Sequence, residues 1–166
     1  KFYSTINQAI RQSIAENDDI VYMDLSDVNS NLNGDKILTW YKENLIKYMT
    51  GVNIDKYPNS DRYVKCYFND GTGFISYLQA GDGLEPRLWF FYCLDASSPS
   101  CKPESYDGNN TFLFRYFPNK KIVDTGGSGS KIFTGCLNKN PHLRHVCSEW
   151  IKQNGWEIPH NYPWIK

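Results

Sequence analysis

The sequence predicts an α+β fold, in which an N-terminal amphipathic helix packs on an antiparallel β-sheet of about four strands and a short helix lies near the C-terminus. Three observations carry this. The first 17 residues repeat their apolar positions at helical intervals; the pattern changes to strict alternation after Gly51; and Asn140-Pro141 opens a second helical period that Asn154-Gly155 closes.

The opening segment, KFYSTINQAIRQSIAEN, has neither Gly nor Pro. Phe2, Ile6, Ile10 and Ile14, joined by Ala9 and Ser13, fall three and four apart and form one apolar stripe, while Gln8, Arg11, Gln12 and Glu16 make the polar face. The stripe is the expected packing face of the helix against the sheet. No Ser, Thr, Asp or Asn stands before it as a cap, so the helix is expected to continue upstream of Lys1.

Residues 17–35 read as a polar surface connection, and DKILTWYKENLIKYM as a second helix ending before Gly51. In RYVKCYFNDGTGFISYLQ, Val64, Cys66 and Phe68 alternate with Tyr63, Lys65 and Tyr67, and Asp-Gly chemistry turns the chain into a hairpin. RLWFFYCL (87–94) and TFLFRYF (111–117) are more continuously apolar, as expected of deeper strands. Residues 95–110 form a long loop. KKIVDTGGSGSK reads as a flexible connection leading to a short strand at Ile132–Phe133. In the final helix Asn140 caps, Pro141 is the first residue, and Leu143, Val146, Cys147, Trp150 and Ile151 form the apolar face. Beyond Gly155 the aromatic, proline-bearing tail is expected to pack back on the domain.

The 166 residues fit a single domain, 1–166. Formal net charge is zero, with 18 basic and 18 acidic residues, so no electrostatic funnel for nucleic acid is expected. Five cysteines without a CxxC pair argue against a zinc ribbon or thioredoxin-type motif and for disulfides in an oxidising compartment. Spacing suggests Cys136 with Cys147 and Cys93 with Cys101, leaving Cys66 as a buried strand thiol; sequence leaves other connectivities open.

Chemistry-bearing motifs are sparse. His142, His145 and Glu149 lack the HExxH spacing of a zinc protease and read as a solvated helix face. Asp107, Asn109 and Asn110 offer oxygens for a loop calcium ion, but without the distal Glu of an EF-hand they read as an ordinary turn, and no cofactor is expected. No GxSxG or other nucleophile arrangement stands out, so the chain is not expected to be an enzyme.

The order of elements is similar to that of type IV pilin-like proteins, including minor pilins and type II secretion pseudopilins. INQAIRQSIAENDD resembles the exposed half of their long helix, YFNDGTGFISYL their first hairpin, and CSEWIKQNGWEIPHNYPW their ending. The resemblance implies a non-catalytic structural subunit of a pilus or pseudopilus, located at the cell surface or otherwise outside the cytoplasm. It would be anchored in the inner membrane, before assembly, by an apolar half-helix ahead of Lys1. Its partners would be other such subunits and, indirectly, an assembly platform and ATPase, and the Cys136–Cys147 region would face neighbours or the exterior. The alternative is a surface-anchored or secreted binding module, with glycans as one ligand class; a small extracytoplasmic hydrolase ranks third.

Overall fold

Uninterrupted helix formers and a 3.6-residue apolar period make α1 (Phe2–Asn17), which ends where Asp18 turns left-handed (φ 69°). A computed structural model of the chain describes residues 1–19, 33–81, 84–125 and 132–164. Most of the polar connection and the GGSGS stretch fall outside the described residues.

Asn33 caps α2 (Gly34–Asn44) by accepting from the amides of Asp35 and Lys36. The expected 35–49 helix is therefore shorter, because the chain tightens into a separate 3-10 turn at Ile46–Tyr48. Ile37, Trp40, Tyr41 and Leu45 enter the core, and the Tyr41 hydroxyl meets Ser76 Oγ at 2.8 Å inside it.

Six strands follow: β1 (Val52–Lys56), β2 (Val64–Phe68), β3 (Gly73–Gly81), β4 (Leu84–Cys93), β5 (Thr111–Phe117) and β6 (Ile122–Thr125). Each pairs antiparallel with the next in a simple meander, β1-β2-β3-β4-β5-β6. The expected count of about four is corrected to six. The two additional strands are the sheet's edges, where VNIDK and IVDT each bury a single hydrophobic residue, Ile54 and Val123, too few to produce an alternating signal. The Asn69–Thr72 turn joins β2 to β3 as the Asp-Gly pair suggests, with Gly71 left-handed (φ 84°) and its N–H bonded to Phe68 O.

The expected strand at Ile132–Phe133 is instead part of a one-turn helix, α3 (Ile132–Cys136), since Ile132 and Cys136 bury together at i, i+4. The last helix also differs. Asn140 caps His142 N–H and Pro141 leads, but Pro141–Val146 is a 3-10 segment that leaves Leu143 exposed, and α4 (Cys147–Gln153) begins only after it.

Alternation divides the sheet into two faces. One, with Val64, Phe74, Leu78, Phe90, Phe114 and Val123, forms the main core with α1, α2 and α4; the other carries a smaller cluster around Ile75, Phe91 and Leu113.

Candidate functional site

The seam between α1 and the sheet brings the predicted packing residues together. Ile6 and Ile10 are fully buried, Phe2 is buried at the start of the helix, and Ile14 is half-buried at its far end. The Phe2 ring stacks on Tyr92 with centroids 4.6 Å apart and meets Phe114 at 5.1 Å and Phe74 at 5.5 Å. Burying such side chains contributes about 1.5–3 kcal/mol each.

Asn7, on the flank of the stripe, has a role that helical periodicity alone does not reveal. Its amide donates to Val123 O and accepts from Val123 N–H, both at 2.8 Å. It thus supplies the hydrogen bonds that a seventh strand would give the open edge of β6. Polar ties hold both ends of the helix: Lys1 Nζ to Asp70 Oδ2 at 2.7 Å, and the Tyr48 hydroxyl to Glu16 at 2.8 Å. Lys1 and Thr72, both hydrogen-bonded to Asp70, hold its carboxyl down at about 2. Just past the helix, buried Asp19 accepts from the Tyr116 hydroxyl at 2.8 Å. Burial, then this bond to an acid, pushes the Tyr116 phenol well up.

The C-terminal region is closed by the Cys136–Cys147 disulfide, whose two residues are buried. Around it, Tyr162 donates to Gly108 O at 2.5 Å and Trp164 Nε1 to Cys136 O at 2.6 Å, while the Arg144 guanidinium lies 3.6 Å from the Trp164 ring centroid. Gly108 is left-handed (φ 74°), and a Cβ there would stand 2.8 Å from Cys147 Sγ. The end of the aromatic tail is therefore packed structure at Tyr162 and Trp164, while Trp156, 40% exposed, stacks on Phe114 and meets Tyr3 from the surface. The second disulfide, Cys93–Cys101, folds the long loop back on the sheet's outer face, and Cys66 is a buried free thiol. Burial keeps that thiol protonated.

Asp107 is committed to its own turn, where Oδ1 accepts from the amides of Asn109, Asn110 and Thr111. His142 and His145 both set their rings edge-on to Tyr106, at 6.3 and 6.2 Å. Among the described residues no group of three or more His, Cys, Asp or Glu is placed to hold a metal ion.

On the outer face Tyr77, Trp89 and Phe91 lie nearly parallel, with centroids 6.4 Å apart from Tyr77 to each neighbour. Arg115 pairs with Trp89 in the ladder, and its guanidinium lies 6.0 Å from that ring and 4.3 Å from Phe117. In sequence these residues sit within continuous apolar runs, so nothing separates the ones that face outward. The signal that could have found them is the arginine inside TFLFRYF, because a charge within a deep strand must point away from the core.

A model of a family of unknown function (DUF6613) matches residues 1–133. The chain belongs to that family. The match covers α1, α2, all six strands and the Cys93–Cys101 loop; the Cys136–Cys147 disulfide and the aromatic tail follow it. No curated protein and no solved structure matches the chain. Two disulfides suit an extracytoplasmic, oxidising location, and no helix among the described residues is long and apolar enough to cross a membrane.

Proposed function

We propose that this chain is the globular part of a type IV pilin-like subunit, serving a pilus or type II pseudopilus. The observation that supports this reading is the seam itself, where the amphipathic N-terminal helix lies along an antiparallel meander with Phe2, Ile6 and Ile10 buried beneath it. A helix held in this way suits a structural role. Its far end is tied to the 3-10 turn and its near end to the β2–β3 hairpin, so force along α1 is spread over the sheet. In this reading the subunit is anchored in the inner membrane before assembly, associates with copies of itself, and carries out no catalysis. The disulfide-closed C-terminal region turns toward neighbours or the exterior.

The coding sequence ahead of Lys1 tests the proposal. An apolar segment of about 20 residues running unbroken into α1 is the expected result. A short leader with a small-residue cleavage site would overturn it in favour of the second reading, a free secreted binding module. That second reading is favoured by the aromatic and arginine residues of the outer face.

A further inference from the structure

We propose that the outer face of the sheet binds an acidic glycan, seating a sugar carboxylate between Arg87 and Arg115 and a neutral sugar ring against Trp89. Arg87 and Trp89 alternate on β4, and Arg115 stands opposite Trp89 on β5, so all three share one face. With Phe117 they line an open groove of about 470 Å³.

Two observations point to an anion as the ligand. First, Trp89 Nε1 and Arg115 Nε are buried without a hydrogen-bond partner. Both atoms can only donate, so each lacks an acceptor, and an unmatched buried donor is costly. Both side chains are half-buried and line the groove. Second, among the described residues neither arginine has a carboxylate within ion-pair distance. Asp124, opposite Arg115 in the ladder, is engaged by Lys152 Nζ at 2.5 Å. Burial, and then the neighbouring Arg87, lower the pKa of Arg115, as expected for like charges with no counterion between them. An anion there relieves both defects, and a guanidinium fork matches a carboxylate in particular.

The rings decide between anions. The near-parallel rings of Tyr77 and Trp89, both half-buried and backed by buried Phe91, continue from the arginines, offering apolar faces for the C–H side of sugar rings. Farther along, Glu104 lines the same surface beside Tyr77 and Tyr106 and accepts from the Tyr63 hydroxyl at 2.9 Å. A nucleic acid carries a phosphate at every nucleotide and would set one against this carboxylate, in a chain of zero net charge. A glycan that alternates acidic and neutral sugars presents hydroxyl donors there instead.

Calorimetric titration of the folded chain with a hyaluronan tetrasaccharide, in which glucuronate alternates with N-acetylglucosamine, tests this. Saturable binding is expected, with uncharged chitotetraose at least about tenfold weaker and affinity falling as salt rises. Arg115→Gln and the more exposed Arg87→Gln should each weaken binding about tenfold or more, and Trp89→Phe, which keeps a ring but removes the N–H, should weaken it also. Lys42→Gln, on α2, should leave it unchanged. Circular dichroism confirms that each variant is folded, and Arg87→Gln carries the test should Arg115→Gln unfold. The proposal is overturned by absence of saturable binding at millimolar ligand, by equal affinity for chitotetraose, or by tighter binding of an eight-residue oligothymidylate. An Arg115-dependent dimer in sedimentation velocity without glycan binding overturns it as well. None of these outcomes bears on the sequence ahead of Lys1, so this inference and the filament reading fail separately.

Discussion

Asn7 shows how one side chain can complete a sheet. Its amide meets both backbone groups of Val123, so Asn7→Ala would leave a buried donor and a buried acceptor unmatched. At about 1–3 kcal/mol for each group, a loss of roughly 2–6 kcal/mol is expected in urea unfolding, together with faster hydrogen exchange of the Val123 amide. Asp70 makes a smaller, pH-dependent contribution. Its folded-state pKa of about 2 lies below that of an unfolded aspartate, so the stabilisation is full at pH values above the unfolded pKa and is lost as pH falls toward 2. A carbon-13 NMR titration should place the Asp70 carboxyl near that value, and Asp70→Asn should flatten the acid limb of the stability profile. An Asp70 that titrates like a free aspartate would mean that its bond to Lys1 is not formed in solution.

Among the elements, α1 is the one on which the main core depends. Ile10 is 1% exposed and sits in the main cluster with Ile6, so Ile10→Ala leaves a cavity that the helix, tied at both ends, cannot collapse to fill. A cost of about 2–5 kcal/mol is expected by equilibrium denaturation. A value below 1 kcal/mol would show that α1 is only loosely laid on the sheet. The periodicity of α1 was readable because its apolar stripe enters a single core, the main cluster beneath the helix. The edge strands were not readable, because the only hydrophobic side chains turned inward are Val52 and Ile54 on β1 and Val123 on β6, and both strands take the rest of their stability from ladder hydrogen bonds, which sequence does not encode position by position. The 3-10 segment before α4 went unseen for a related reason: Asn140-Pro141 marks a helix start equally well for either helix type, and the pairing of Cys147 with Cys136 on α3 ties down the segment's far end.

Taken together, the chain is one sheet with two unlike faces, a buried one under α1, α2 and α4 and an outer one part-covered by the Cys93–Cys101 loop. Beyond the sheet, the C-terminal region is held by the Cys136–Cys147 disulfide and by the packing of Arg144, Tyr162 and Trp164 around it. Closing that loop contributes about 3 kcal/mol, so the double variant Cys136→Ser/Cys147→Ser should melt about 6–12 °C lower by calorimetry. An unchanged midpoint would mean that the aromatic contacts alone hold the region. Local pattern was enough to establish the helix, the hairpin, the two central strands and a tail that packs, because each draws on a repeat or turn chemistry contained within a few residues. Tertiary structure alone decided which amide closes the β6 edge, which side of the sheet faces α1, and that Arg87, Trp89 and Arg115 meet on the other. Those outcomes depend on strand register and on contacts between residues as far apart as Asn7 and Val123, and no local period carries that information.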